Sequence, residues 1–273
     1  MYKELSYSEC ISDEIESGEK FPIGFGGVYM ITDYENFSEL FEKIGKNAER
    51  LVKNPEVKEW YSKMKIDFDF PLFCHMMSFN SVMSQQYPDI LDSKGHADFY
   101  TLGEQKKLSE AVSQKKCACT EYAVLAQAYF QKQNIPTRYV GGELVVNDEF
   151  DDFEAHSFIA FSNNGKEYIF DPVNPYIYNG GKSILPHISE CIGKKDLCYL
   201  QTESLFKKEE NWRYSCGKHG DFLRDLPTKR ENLQERPSKG MEEGKNKDQN
   251  GTPKKELLAA QQMRILSQRS QNG

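Results

Sequence analysis

The sequence predicts an α+β fold, with helices in its first half and mostly antiparallel strands in its second. Between residues 36 and 133, apolar side chains recur at the three- and four-residue spacing of amphipathic helices. After Pro136, short β-rich runs separated by turn residues replace that spacing. Helices followed by strands are the order typical of an α+β domain, and 273 residues are enough to bury a sizeable core.

Four helices are predicted in the first half. Residues 36–53 carry one continuous apolar stripe, which is the clearest amphipathic pattern in the chain. A shorter helix begins at Pro55, because proline is well tolerated in a first helical turn. Residues 103–116 form a more polar helix and residues 119–133 a largely buried one. The apolar run from Phe70 to Val82 fits a helix and a buried strand equally well.

Five strands are predicted after the helices, two of them joined as a hairpin. The turn Asn163-Asn164-Gly165 lies between two apolar runs, and Asn-Gly is strong hairpin chemistry. The last two strands have the weaker pattern. The predicted strands cover residues 137–146, 155–162, 166–171, 197–201 and 212–216.

Composition divides the chain into three parts. No Phe, Tyr or Trp occurs after Phe222. Residues 1–224 hold 25 Lys and Arg against 35 Asp and Glu, whereas residues 225–273 hold 10 against 7. The polar tail cannot bury enough apolar surface to offset its ordering entropy. The predicted parts are a weakly ordered segment at 1–19, one domain at 20–224, and a disordered charged tail at 225–273 with a short helix at 254–268.

Charge and cysteine content argue against several classes of protein. The acidic body disfavours nucleic-acid binding, which depends on clustered Lys and Arg. A membrane span needs about 20 consecutive apolar residues, and no window holds them. The acidic N-terminus lacks the regions of a signal peptide, and seven scattered cysteines indicate a reducing compartment. We expect a cytoplasmic protein, or one delivered to a host cytosol by a route other than Sec, of unknown oligomeric state.

Three residues are arranged for nucleophilic chemistry. A free thiol with a pKa of about 8.5 is mostly protonated at neutral pH, so a cysteine nucleophile needs a neighbouring base or a helix N-terminus. Cys119 begins a predicted helix, where the dipole favours an anion. The predicted hairpin brings His156 and Asp171 side by side. Each residue alone also suits a structural role, as a core thiol, a core histidine and a turn-forming aspartate.

Four short motifs resemble successive motifs of the transglutaminase-like superfamily. They are Cys119-Thr-Glu-Tyr-Ala123, Asn134-Ile-Pro-Thr-Arg-Tyr-Val-Gly-Gly142, Ala155-His156 and Phe170-Asp171-Pro172, and the resemblance spans residues 117–172. It implies a papain-like core, in which a Cys-bearing helix packs on an antiparallel sheet that carries His and Asp. It also implies a Cys119–His156–Asp171 triad. We expect no cofactor and no metal.

The resemblance further implies thiol-dependent chemistry on an amide bond of a protein or peptide substrate. Cys119 would attack the carbonyl, His156 would take and return the proton, and Asp171 would orient the imidazole, through a thioester acyl-enzyme. Cysteine peptidase activity and glutamine deamidation or transamidation share this triad, because each passes through a thioester. The alternative is a catalytically silent domain that binds a partner through its acidic body.

The sequence departs from the family pattern at one position and leaves one role unassigned. The superfamily usually has Gly two residues before the nucleophile, where this chain has Cys117. The Cys117 thiol is inert packing, a resolving partner for Cys119 or a rival nucleophile. Family members also place an oxyanion donor side chain upstream of the cysteine. Its candidates are Trp60, Asn80, Gln85 and Gln114, and the sequence assigns none.

The remaining chemistry-bearing residues fit structural roles. Glu121 is a first-turn helix acid, and Arg138 is one half of an ion pair at a strand start. Cys and His are the usual zinc ligands, but no Cys-x-x-Cys pair occurs. The scattered metal candidates are His187, Cys191, Cys198, Cys216 and His219.

Overall fold

The computed structural model has an α+β architecture, as predicted. It describes residues 11–12, 15–23, 28–88, 90–91, 93–101, 103–145, 153–178, 183–191, 200–205 and 213–216. The helices are α1 Ser38–Lys53, α2 Pro55–Met64, α3 Phe70–Gln86, α4 Ser93–Phe99, α5 Leu108–Ser113 and α6 Cys119–Lys132. The strands are β1 Ile11–Ser12, β2 Lys20–Pro22, β3 Tyr29–Ile31, β4 Gln105–Lys107, β5 Arg138–Val145, β6 Phe153–Asn163, β7 Lys166–Tyr178, β8 Ser183–Cys191, β9 Leu200–Ser204 and β10 Arg213–Cys216.

The helices predicted at residues 36–53, after Pro55 and at residues 119–133 are confirmed. The ambiguous run from Phe70 is helix α3, because the Asp69 carboxylate caps it by accepting the Leu72 N–H at 2.7 Å. The polar helix predicted at residues 103–116 is wrong in its first part. Residues 105–107 are strand β4, which pairs in parallel with β3, a contact that helical spacing cannot reveal.

Two sheets form the β half of the fold. The small sheet has the order β2-β3-β4. The large sheet has the order β1-β5-β10-β9-β8-β7-β6 and closes on itself, because β5 also pairs with β6. Every pairing in the large sheet is antiparallel.

The predicted β6–β7 hairpin is confirmed. Its ladder runs from the Ile159–Phe170 pair to the Asn163–Lys166 pair. Asn164 and Gly165 have φ values of 50° and 76°, and this left-handed backbone at both central positions is typical of a type I′ turn. The hairpin fixes His156 and Asp171 on neighbouring strands.

Strand β8 was not predicted. Its sequence contains Pro186, and proline is disfavoured within a strand because it has no N–H to donate to the neighbouring strand. Pro186 is accommodated where the β7–β8 register shifts, between the Asp171–His187 and Tyr176–Leu185 pairs. Four residues of β7 therefore face one residue of β8, which makes a β-bulge. The bulge lies immediately after Asp171.

Upstream of residue 20, β1 pairs with β5 and Ile15 is buried. The charged tail at 225–273 and its helix at 254–268 lie outside the described residues. The domain boundaries at residues 20 and 224 stay predictions. Within the part of the chain that the structure describes, no helix is long and apolar enough to cross a membrane.

Helices α3 and α6 pack together on the large sheet. Phe79 of α3 contacts Tyr122 and Tyr129 of α6, with ring centroids 6.2 and 6.1 Å apart. Phe79 and Phe130 both meet Phe170 of β7 edge to face. These buried rings hold α6 and α3 against β7.

Candidate active site

The first turn of α6 presents Cys119. The preceding residue, Ala118, is extended, and its N–H donates to the Glu121 carboxylate at 2.8 Å. The other oxygen of Glu121 lies 2.9 Å from His96 Nε2 of α4. The Cys117 N–H donates to the Ile90 carbonyl at 3.2 Å. Glu121 is thus a first-turn acid as predicted, and the chain approaching Cys119 is fixed on two sides.

Strand β6 brings His156 to the same place. The neighbouring Ser157 Oγ lies 3.2 Å from Thr120 Oγ1 of α6 and 2.8 Å from the Tyr139 hydroxyl of β5. This polar contact holds the first turn of α6 against β6, one residue from Cys119 and one residue from His156. The Cys119 thiol and the His156 imidazole are hydrogen-bond partners.

Asp171 completes the group from β7. His156 Nε2 lies 2.8 Å from Asp171 Oδ2, and the imidazole and carboxylate are both almost fully buried. Because Nε2 contacts the carboxylate, Nδ1 is the ring nitrogen left for the thiol. The structure therefore brings together all three predicted site residues, Cys119, His156 and Asp171.

The bulge after Asp171 supplies further donors to its carboxylate. Oδ1 accepts the N–H groups of Val173 at 3.1 Å and Asn174 at 3.3 Å, which makes a turn closed by the side chain. Oδ2 accepts Asn174 Nδ2 at 3.0 Å in addition to His156. Four donors thus fix the orientation of the carboxylate.

The buried pair carries opposite charges. Burial opposes ionisation of Asp171, but the adjacent His156, aided by His187 and Asn174, outweighs burial and lowers the pKa of the carboxyl. Burial likewise disfavours a charged His156, but the charge and hydrogen bond of Asp171, with a smaller contribution from Cys119, raise the pKa of the imidazole. Asp171 thus favours the protonated form of His156, which is the form that results when the imidazole accepts a proton.

The Cys117 thiol lies in the hydrophobic core. Its exposed fraction is 0%, and burial together with the nearby Glu121 carboxylate raises its pKa. Cys119 is partly exposed. Because a cysteine nucleophile needs both exposure and thiolate character, the structure favours inert packing for Cys117 among its three interpretations.

The upstream donor candidates occupy different environments. Gln85 and Gln114 are exposed, and Trp60 is buried with its ring 6.1 Å from Phe73. Asn80 is buried on α3, and its Nδ2 donates to the Pro172 carbonyl at 2.8 Å, next to Asp171. Asn80 is thus the candidate that reaches the site.

Two site residues carried no catalytic signal in the sequence. Asn174 shares Asp171 Oδ2 with His156. The sequence feature that could have indicated Asn174 is the Asp-Pro-Val-Asn spacing, which suits a turn closed by the aspartate side chain. His187, considered above only as a metal ligand, is the cross-strand partner of Asp171, and its Nε2 lies 3.1 Å from Ser189 Oγ. Across the described residues, no group of three or more His, Cys, Asp and Glu side chains is placed to hold a metal ion.

The predicted structural role of Arg138 is confirmed. Its Nη2 donates to the Glu167 carboxylate at 2.6 Å, across β5 and β7. Both side chains are a little over one-quarter exposed. The pair therefore anchors the start of β5 away from the Cys119 thiol.

A family match covers the part of the chain that contains these three residues. Residues 91–172 match the family model described as the transglutaminase-like superfamily. The resemblance to that superfamily is thereby confirmed. The transglutaminase-like segment contains Cys119, His156 and Asp171 and runs from the residues before α4 into the bulge of β7. No curated protein and no solved structure matches the chain.

Proposed function

We propose that this protein is a thiol-dependent enzyme that acts on amide bonds of a protein or peptide substrate. The observation that carries the proposal is the connection from the partly exposed Cys119 thiol through the buried His156 imidazole to the buried Asp171 carboxylate. A nucleophile, a base and a group that orients the base are the parts of a nucleophilic triad. We infer a papain-like arrangement, with α6 carrying the thiol and β6 and β7 carrying the other two groups.

The proposed reaction begins at Cys119. The proton lost by the thiol is held on His156 as Sγ attacks the amide carbonyl, and the positive end of α6 favours the developing oxyanion. His156 then gives the proton to the leaving amine as the carbon–nitrogen bond breaks. The remaining acyl group is a thioester on Cys119. Asp171 stabilises the protonated imidazole during both transfers.

The thioester is resolved by an acceptor. Water, deprotonated by His156, attacks the thioester carbonyl and releases a carboxylic acid, and the proton stays on His156 as the Cys119 sulfur leaves. We favour this hydrolytic outcome, because water needs no binding site of its own. The same steps on a glutamine side chain give deamidation, and an amine in place of water gives transamidation. Among the described residues, Cys74, Cys117, Cys119 and Cys191 form no disulfide, which suits a reducing compartment.

The test of the proposal compares two cysteines by mass spectrometry of the intact protein. Brief treatment with substoichiometric iodoacetamide should give one adduct on the wild type and on Cys117→Ala, and none on Cys119→Ala. A peptide library containing glutamine should then be cleaved or deamidated by the wild type and Cys117→Ala but not by Cys119→Ala. Equal labelling of Cys119→Ala and the wild type would contradict the assigned nucleophile.

The Asp171→Asn variant tests the orienting carboxylate. We expect its turnover and its alkylation rate to fall while the Michaelis constant changes little, because an amide keeps the contact but cannot stabilise a charged imidazole. An unchanged rate would reduce the site to a Cys119–His156 dyad. Labelling of Cys119 no faster than that of an unfolded cysteine would favour the silent interaction domain.

A further inference from the structure

Asn80 connects helix α3 to the turn that carries Asp171. Its side chain is 1% exposed, and Nδ2 donates to the Pro172 carbonyl at 2.8 Å across 92 residues of sequence. Pro172 is the second residue of the turn whose N–H groups hold Asp171 Oδ1. A displacement of this peptide unit therefore moves the donors that orient the catalytic carboxylate.

The chemistry of Asn80 fits a specific role in this contact. Among the described residues, its Oδ1 has no hydrogen-bond partner, although it is buried. Burying an unsatisfied acceptor is unfavourable, and a core position next to Phe79 would suit an apolar side chain better. What an apolar side chain cannot supply is the donor to Pro172.

We propose that Asn80 is a positioning residue for Asp171: its amide fixes the Pro172 peptide and so holds the carboxylate in line with His156. The inference rests on the proposed function, because it assigns Asn80 an effect on Asp171 and, through it, on the thiol. Asn80 was one of four unassigned candidates for an oxyanion donor, and the contact with Pro172 places it instead on the Asp171 side of the imidazole.

Ser78 provides a matched control on the same helix. It is also fully buried, and its hydroxyl donates to the Ile44 carbonyl of α1 at 2.7 Å. Ser78 and Asn80 thus make the same kind of side-chain contact with a backbone carbonyl. They differ in direction, since Ser78 joins α3 to α1 and Asn80 joins α3 to β7.

The experiment measures the rate of Cys119 alkylation by iodoacetamide in the full chain. Asn80→Ala should slow it about tenfold, because the free energy lost with a buried hydrogen bond is close to the free energy of a tenfold rate change. Ser78→Ala should change it less than about twofold at a similar loss of melting temperature. Asn80→Leu, which keeps the branched shape and the number of heavy atoms, serves if Asn80→Ala does not fold, and both variants should behave alike.

A double variant separates positioning from general destabilisation. In the Asp171→Asn background, Asn80→Ala should cause no further slowing, because its effect passes through the carboxylate. Additive slowing, or wild-type rates in Asn80→Ala and Asn80→Leu, would overturn the inference while leaving the triad intact. If Asp171→Asn itself alkylates at the wild-type rate, the proposed role of Asp171 fails, and the inference about Asn80 fails with it.

Discussion

Asp171 is the residue on which the electrostatics of the site depend. Its side chain is completely buried, a location that ordinarily keeps a carboxyl neutral. Donors from Val173, Asn174 and His156 satisfy both oxygens, and the two histidines on adjacent strands supply positive charge. These partners therefore offset the free-energy cost of burying the charged carboxylate. The carboxylate should influence stability as well as catalysis.

The His156–Asp171 pair should make stability depend on pH in a defined window. Ordinary Asp and His titrate near pH 3.9 and 6.5, about the values expected in the unfolded chain. The lowered pKa of Asp171 adds stability that is complete above its unfolded value and is lost as pH falls through the folded value. The raised pKa of His156 adds stability that is complete below its unfolded value and is lost as pH rises through the folded value. The contribution is therefore largest between about pH 4 and 6.5.

Urea unfolding at pH 6 and pH 9 measures this effect. We predict that the stability of the wild type relative to Asp171→Asn falls over this range, by at most about 1.4 kcal/mol per pH unit. Ser78→Ala removes no titratable group, so its difference from the wild type should stay constant. A difference between Asp171→Asn and the wild type that did not change with pH would show that the pair does not ionise as described.

The residues of the site differ in how visible they are in the sequence. Cys119, His156 and Asp171 were identified because short motifs in a fixed order surround them. Asn174 depends on the bulge in β7, and a bulge is a relation between two strands. Asn80 contacts a residue 92 positions away, so no local pattern marks it. Local chemistry was predictable here, and contacts created by packing were not.

At the scale of elements, the β6–β7 turn controls the geometry of the His156–Asp171 pair. Gly165 has φ 76°, and an added Cβ would meet nothing within 4 Å, so only backbone strain opposes a side chain there. Gly165→Ala should lower the free energy of unfolding by about 1 kcal/mol. Gly45 of α1 is the control, because its Cβ would lie at an ordinary 3.6 Å from Gln133 and alanine favours a helix.

Gly45→Ala should therefore raise stability by about 0.5 kcal/mol or more. Chemical denaturation of both variants measures the two effects, whose signs are opposite. Equal losses in both variants would mean that crowding, and not backbone conformation, determines the response to alanine.

Elements with a strong internal pattern were predicted, and elements that depend on a partner were not. The α1 stripe and the Asn-Gly turn are properties of contiguous residues. Strand β4 is a three-residue segment stabilised by pairing with β3, and β8 carries a proline that only a broken ladder accommodates. Helical spacing and strand propensity describe single segments, so both strands escaped prediction.

At the scale of the whole molecule, closure of the large sheet makes its last strand essential. Strand β10 pairs with both β5 and β9. We predict that deletion of residues 226–273, which lie outside the described residues, changes the free energy of unfolding by less than about 1 kcal/mol. Deletion from residue 206 also removes β10 and should cause a much larger loss. Thermal unfolding of both truncated chains measures the contrast, and a large loss in the shorter deletion would place tail residues on the core.

The distances along the chain between the site's contacts set the timing of its assembly during synthesis. Asn80 leaves the ribosome 92 residues before Pro172, which is about 5 to 18 s at about 5–20 residues per second. Helix α1 is already available to cover one face of α3 during that interval, through contacts such as Ser78 with Ile44. The other face of α3 stays uncovered until β7 has been synthesised. The thiol, the imidazole and the α3 amide are all made before residues 171–174, and the bulge that orients Asp171 forms only when β8 follows them.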